Sequence, residues 1–505
     1  MREFIKKLEN NGLLTIVNEE VDVRQIQETL TGKRGPVYFR SIRGFKDYSV
    51  FGGIFTSRDA VAQVLNCSSR LIGQRFQDLT INPIKPVQTG EAPIKQNRLS
   101  GADVDLSGLP IPVMHAGDGG PYIAGGIVIA DDPKGQFGTN LGMYRLMYRS
   151  KNETGIDLVT ASDLRTFYER ALELGQTLKV SIVIGASPAL MMAATCKAPI
   201  GVSEYDIAGG LQGKAVRVTK SETSDIMVPA EAEILLEGEI LPIGWVEQEG
   251  PFGEFAGFQG ESKWNPILRF HSISYRDNPI YYSLVMPDEN DWLLMASTEK
   301  QVYTSLRNAG INVHEVHVTP GAACFWHVIA SIHKRAGEGK NAVLAALAVA
   351  AMKQAIITDA DVDIFNYEEV ERAMAFRMQP DRDVVIISGG RGNHVDPSLE
   401  AWTLPKGSLP VTSKIGFDAT KPDSIPWKRY QRIKCYSWKK GLSQTSSCED
   451  LKNAAKDILR EYTEFTDFMD KLANYEYRDI LRVWGALREE GCLIRDEEGR
   501  YKLSE

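Results

Sequence analysis

The sequence predicts a mixed α+β protein. It reads as an N-terminal α/β unit over residues 1–100, a central β-rich domain over 101–305, a C-terminal α/β domain over 306–435 and a helical extension over 436–505. Three observations predict this. Helical and strand-like runs alternate at both ends of the first 435 residues. Between them come short runs rich in β-branched and aromatic residues, separated by turn residues. The chain of 505 residues, 43% hydrophobic and 25% charged, has the length for two to four domains and a globular composition.

The elements follow in order. MREFIKKLENNG reads as an amphipathic helix without a signal-peptide core. LLTIV and PVYFR read as strands, and a helix opens near Ser57. The polar, Pro-containing stretch 81–100 reads as a linker. YIAGGIVIA, TNLGMYRLMYR, LKVSIVIGA, AVRVTK, AEILLEGEI, ILRFHSISYR and PIYYSLVM read as strands of a barrel or sandwich. Helices at 162–175 and 187–194 interrupt them. INVHEVHV then reads as a strand, GKNAVLAALAVAAMKQA as a helix, VDIFN as a strand, EEVERAMAFRM as a helix and VVIIS as a strand. Asn366 and Glu369 have capping-box spacing before that second helix. The extension reads as a polar link, two helices and a closing hairpin, similar to a winged helix.

Charge and composition exclude several classes. The net charge of −8 is spread along the chain, with no basic block for nucleic acid. Residues 441–505 carry 10 Lys and Arg against 15 Asp and Glu, which disfavours a DNA reader and favours a packing or dimer-contact role. The longest apolar run, AVLAALAVAAM, is too short for a bilayer. Six cysteines without a CxxC pair read as reduced thiols of a cytoplasmic protein, neither disulfides nor a zinc site.

Some motifs fail. DADVDIFNYEEV has Ile364 and Val370 where a calcium loop needs Gly and Glu. No Walker loop or strand-borne GxGxxG is present, SGGRGNHVD reads as a plain loop, and the histidines show no metal spacing. Other motifs carry chemistry. In EQEGPFGEF, Glu249 and Glu254 bracket residues 250–253, which read as a reverse turn. Two carboxylates brought together cannot both ionise cheaply, so one keeps a proton if a cation holds the other ionised. A solvated surface hairpin is the alternative. In GTNLGMYR, strand alternation puts Arg145 on an apolar face with Leu141 and Met143. A half-buried Arg needs an anion: Glu249, Glu254, or a ligand phosphate or carboxylate. Glu204 in IGVSEYDIAGGLQG, with the Asn140 carbonyl, would make an oxygen-rich site suited to Mg²⁺ or Mn²⁺.

TNLGMYR, AATCKAPIGVSE, EQEGPFGEF and VTSKIGFDAT, in that order, resemble the UbiD family of reversible decarboxylases that use prenylated FMN. The likeness covers the chain to about residue 425. The resemblance implies that the central domain is a flavin-binding split β-barrel. It implies a cofactor phosphate held through Mn²⁺ or Mg²⁺ with K⁺ beside it. Asn140, Asp163 and Glu204 fall at the metal-ligand positions, Asp163 where the family commonly has His. Met143, Ser162, Ala193, Ala194, Thr195, Cys196 and Lys414, with Asn140, Arg145 and Glu204, fall at cofactor-binding positions. Arg145, Glu249 and Glu254 match the catalytic Glu-Arg-Glu network, with Arg145 paired to Glu249 and Glu254 as proton donor. Met286, Asp288, Trp292 and His327 are candidates for substrate contact. The implied substrate is an aromatic, heteroaromatic or α,β-unsaturated carboxylic acid, released as CO₂ and a protonated product. A flavin prenyltransferase would supply the cofactor, and homodimers or larger homo-oligomers are expected. Two other readings stand beside this one. A partner-dependent subunit of a multi-subunit carboxylase is disfavoured because no network residue is lost. An FMN-dependent oxidoreductase has no use for Glu254 as an acid.

Overall fold

A computed structural model describes residues 1–158, 162–196, 198, 202–350, 352–400, 410–437 and 448–504. The chain divides into two compact units, Met1–Ser424 and Ile425–Glu505.

The first unit is mixed α+β around three main sheets. The N-terminal sheet runs Thr15–Val21, Val37–Ile42, Ser49–Gly52, Ile280–Tyr282. Its last strand comes from a distant part of the sequence and pairs parallel with Ser49–Gly52. PIYYSLVM is therefore a strand, as its β-branched and aromatic residues predict, but it belongs to this sheet and not to the central one.

The central nine-stranded sheet is a curled half-barrel. Its path runs Tyr122–Ile123, Leu146–Ser150, Glu153–Gly155, Ile267–Tyr275, Ile234–Ile240, Leu178–Ile184, Gly126–Asp131, Thr139–Met143. The stretch expected as a linker is sewn onto β structure at two points. Asn97–Ser100 pairs with Ile267–Tyr275, and Val87–Gln88 pairs with Arg217–Lys220. The expected helices occur as Asp163–Glu173, capped by Ser162, and Pro188–Ala194, capped by Ser187.

The C-terminal sheet runs Val313–Val318, His327–Ile332, Gln354–Asp359, Val411–Asp418, Val384–Arg391. Here VDIFN is not a strand. The strand is Gln354–Asp359, and the preceding helix stops earlier than predicted, at Leu347. Asn366 caps Tyr367–Arg377 through Glu368 N–H, while the Glu369 carboxylate accepts from Asp363 N–H. The main apolar cluster of this unit runs from Met1 to Ile357.

The second unit has a short 3-10 helix, Trp427–Tyr430, and three described α-helices, Cys448–Ile458, Phe465–Lys471 and Tyr477–Glu489, closed by the hairpin Leu493–Arg495 and Tyr501–Leu503. Its own core gathers on Leu459, Phe468, Ile480 and Leu487, with Trp484 against Phe465, Phe468 and Tyr501. The polar link over 438–447 lies outside the described residues. Among the described residues no helix is long and apolar enough to cross a membrane.

Candidate active site

Thr139–Met143 pairs antiparallel with Gly126–Asp131, Asn140 opposite Ala130 and Met143 opposite Ile127. The strand ends at Met143 and the chain re-enters the sheet at Leu146. Tyr144 and Arg145 occupy the break, so Arg145 leaves the alternation predicted for it. Its side chain is only 9% exposed, and a guanidinium so buried requires anions. It has three. Nε donates to Glu249 Oε1 at 2.9 Å, Nη1 donates to both oxygens of Glu254 at 2.9 Å, and Nη2 pairs with Asp157 Oδ2 at 3.0 Å. Burial opposes its charge, but Asp157, Glu254 and Glu249 overcome that and hold Arg145 protonated well above the ordinary range. The guanidinium also lies 4.7 Å over the Phe252 ring, which packs on Tyr122.

Two short strands bring the glutamates there. Glu247–Glu249 pairs with Lys263–Asn265, with Glu249 opposite Lys263. The expected reverse turn at 250–253 is absent. Gly253 N–H donates instead to Asp118 Oδ1 at 2.8 Å, and the chain tightens after Glu254, where Gly257 N–H reaches the Glu254 carbonyl at 2.9 Å. Lys263 Nζ then lies 2.8 Å from Glu254 Oε1, and Asn265 Nδ2 donates to Glu249 Oε2 at 2.7 Å. The sequence reading gave Arg145 to Glu249 and left Glu254 without a cation. In this arrangement Arg145 engages both acids and Lys263 adds a second cation to Glu254. Asp157, Lys263 and Asn265 escaped sequence reasoning, because only long-range pairing carries them to Arg145.

His115 buttresses the same loop. Its Nε2 is 3.1 Å from the Met286 carbonyl and its Nδ1 is 3.3 Å from Asp118 Oδ2. The Asp118 carboxylate raises the His115 pKa above 6.5, against the effect of burial.

The expected metal and cofactor positions lie on neighbouring elements. Glu204 opens the helix Glu204–Gln212 and accepts from Leu141 N–H at 3.2 Å, beside Asn140. Burial pushes its carboxyl up to about 7, and the charges of Asp163 and Asp206 act in the same direction. Asp163, at the start of its helix, is exposed, with Ser162 as its cap. The buried Asn140 Nδ2 has no hydrogen-bond partner among the described residues. The buried Glu204 carboxylate with Asp163 nearby suits a hard divalent cation, to which Asn140 would turn its amide oxygen, since its Nδ2 can only donate. No group of three or more His, Cys, Asp or Glu fit for a metal occurs among the described residues, and the expected set takes one of its donors from Asn140.

Ala193 and Ala194 end the buried helix Pro188–Ala194, followed by Thr195 and Cys196. Cys196 Sγ accepts from Lys300 Nζ at 3.4 Å, and burial pushes the thiol pKa up. Lys197, Pro199, Ile200 and Gly201 of the same motif lie outside the described residues. The Lys414 ammonium donates to the carbonyls of Leu347 (2.8 Å) and Val349 (3.0 Å). Met286 packs with Met114, Tyr122 and Phe252. Asp288 opens the helix Asp288–Asn308 and its charge helps burial raise Asp291 to about 8; Trp292 packs on the core from that helix. His327 neighbours Trp326, which stacks on Phe255. It lines a cavity of about 530 Å³ with His317, Thr319, Trp326 and Phe365, and Arg145, Glu249 and Glu254 are not part of that lining. Burial lowers its pKa to about 4.

Three family models match the chain. They are the N-terminal, Rift-related and C-terminal domains of 3-octaprenyl-4-hydroxybenzoate carboxy-lyase (UbiD), at residues 5–80, 85–289 and 291–419. Anhydromevalonate phosphate decarboxylase of Methanothermobacter thermautotrophicus is 30% identical over 438 residues, covering 86% of this chain and 99% of the relative. Phenolic acid decarboxylase of Bacillus subtilis is 31% identical, covering 83% and 92%. Among solved structures, the UbiD-class enzyme HmfF of Pelotomaculum thermopropionicum in complex with FMN superposes with a TM-score of 0.77 at 33% identity, covering 86% and 96%. The apo 3,4-dihydroxybenzoic acid decarboxylase of Enterobacter cloacae gives 0.76 at 26% identity, covering 87% and 97%.

Proposed function

The chain belongs to the UbiD family of carboxy-lyases, and from that premise we propose that it catalyses reversible, non-oxidative decarboxylation of an aromatic, heteroaromatic or α,β-unsaturated carboxylic acid with prenylated FMN, using Glu254 as proton donor. The observation that carries this reading is the buried Arg145 bridging Glu249 and Glu254. Prenylated FMN, when bound, supplies a covalent electron sink for the charge left on carbon as CO₂ departs. Asn140, Asp163 and Glu204 would hold the divalent ion, Mn²⁺ or Mg²⁺, that ties down its phosphate. The segment holding Ala193, Ala194, Thr195 and Cys196 would line the flavin and K⁺, with Met143 and Ser162 nearby. Lys414, whose ammonium gives two of its three N–H groups to carbonyls, would offer the third to the cofactor.

The remaining chemistry belongs to the protein. Each turnover converts a carboxylate to CO₂ and a C–H bond, so one proton is consumed. Glu254 would give that proton to carbon and recover one from solvent. Arg145 fixes where the acid points, Asn265 locks Glu249 against Arg145, and the apolar faces of Phe252 and Tyr122 keep water from the guanidinium. The relatives' names, which include phenolic and phosphorylated acids, leave the substrate class broad.

The test is co-expression with a flavin prenyltransferase, followed by a screen of unsaturated and aromatic acids for CO₂ release. Turnover is expected for at least one acid. Glu254→Gln should abolish turnover and substrate H/D exchange while flavin stays bound; retained turnover would remove Glu254 as the acid.

A further inference from the structure

Lys263 supplies a charge that the Glu-Arg-Glu network alone does not account for. Its side chain is 16% exposed, and its ammonium lies 2.8 Å from Oε1 of Glu254, whose side chain is 6% exposed. Arg145 and Lys263 are the two cations of the cluster; Asp157, Glu249 and Glu254 are its three carboxylates. The His115–Asp118 pair packs on the same loop, where Asp118 accepts from Gly253 N–H. When all four are ionised, Arg145 and Lys263 match Glu249 and Glu254, two charges of each sign. A carboxylate substrate adds a further buried negative charge. Buried anions in such numbers are not held without a further cation or a proton.

Each acid has a different hold on the cations. Glu249 is fastened by two nitrogens of Arg145 and by Asn265. Asp157 shares Nη2 of Arg145. Glu254 keeps Arg145 Nη1 whether or not Lys263 is present, so the Lys263 contact is the one that can be exchanged without stranding a buried charge. Lys263 is also the more solvent-accessible of the two cations, 16% against 9%.

We propose that Lys263 is the cation that takes the substrate carboxylate, displacing Glu254, and that this exchange loads Glu254 with the proton it later delivers. This rests on the reading of Glu254 as the donor. The balance is simple. The incoming R–COO⁻ replaces the Glu254 carboxylate on Lys263, and one solvent proton adds to Glu254. The bond from carbon to the carboxylate then breaks, CO₂ leaves, and its electron pair, held on carbon, takes the Glu254 proton to form C–H. Glu254 returns to Lys263 as a carboxylate. Binding of substrate and uptake of a proton are thereby linked.

The test uses flavin-loaded enzyme at pH 7.5 in weak buffer with a pH indicator, and benzoate as the probe. Wild type is expected to take up about one proton per benzoate bound, and Lys263→Met to take up none while binding benzoate at least about tenfold more weakly. Lys263→Arg keeps the charge and should recover most of both effects. For the acid turned over in the CO₂ screen, Lys263→Met should raise KM about tenfold with flavin content and melting temperature unchanged. Equal affinity and KM in wild type and Lys263→Met, or saturation of wild type without proton uptake, overturns the proposal. If Glu254→Gln stays active, the donor assignment fails; if it is inactive while Lys263→Met behaves as wild type, only the role of Lys263 fails.

Discussion

A Cβ placed on Gly260 would lie 2.6 Å from Oε1 of Glu254. The loop therefore presses its backbone against the carboxylate it carries, and the bare glycine lets Glu254 reach Arg145 and Lys263 together. Gly260→Ala is expected to shift the carboxylate and lower kcat by about ten- to a hundredfold, with melting temperature little changed. Steady-state kinetics beside thermal melting checks this, and an unaltered kcat would mean the carboxylate's position is not critical.

Arg145→Met takes from Glu249, Glu254 and Asp157 the cation they share, leaving Glu254 with Lys263 and Glu249 with the neutral Asn265. Removing one partner of a buried ionic cluster costs about 3–5 kcal/mol, so the variant should unfold at markedly lower urea. Arg145→Lys keeps a charge but not the fork that spans Glu249 and Glu254, and should regain stability without regaining activity. Urea unfolding and CO₂ release from the same preparations separate the two effects.

His115 titrates in a useful range. Asp118 raises its folded-state pKa above 6.5, while in the unfolded chain it titrates near 6.5. The charged pair thus stabilises the fold fully below pH 6.5, and that contribution is lost as pH rises through the higher folded value. Unfolding free energies between pH 5.5 and 8.5 should fall with pH in wild type, more steeply than in His115→Gln. Parallel curves would show that the pair adds nothing.

Glu204→Ala removes the buried carboxylate beside Asn140. The divalent ion and flavin should be lost together, read by metal analysis and visible absorbance of the purified protein. Full occupancy of both would take Glu204 out of the metal site.

Sequence reasoning reached the site through local signals and missed what is non-local. EQEGPFGEF and GTNLGMYR marked Glu249, Glu254 and Arg145 without saying which backbone would bend. Asp157 is a single acid between a hairpin and a helix, and nothing nearby in sequence marks it. The helix Asp288–Asn308 went unseen for a different reason. Met295, Ala296, Ser297, Thr298, Glu299 and Lys300 are all buried, so the helix has no polar face to set a period. Glu204–Gln212 was hidden by Gly209 and Gly210, which read as loop. A Cβ on Gly209 would meet the Ile84 carbonyl at 2.2 Å, so close packing of that helix demands a residue that sequence rules treat as a breaker.

Ile280–Tyr282 has an effect beyond its three residues. It completes the N-terminal sheet, and Tyr282 then donates to Glu289, whose carboxylate also gathers the N–H groups of Gly53, Ile54 and Phe55. A protein trimmed of its first 80 residues would leave that strand without its mate and strip the buried Glu289 carboxylate of three of its N–H donors, with Tyr282 and Val285 alone remaining. Dissection by proteolysis or by recombinant fragments should therefore fail at this boundary, and amides on both sides of it should exchange with solvent as one cooperative block.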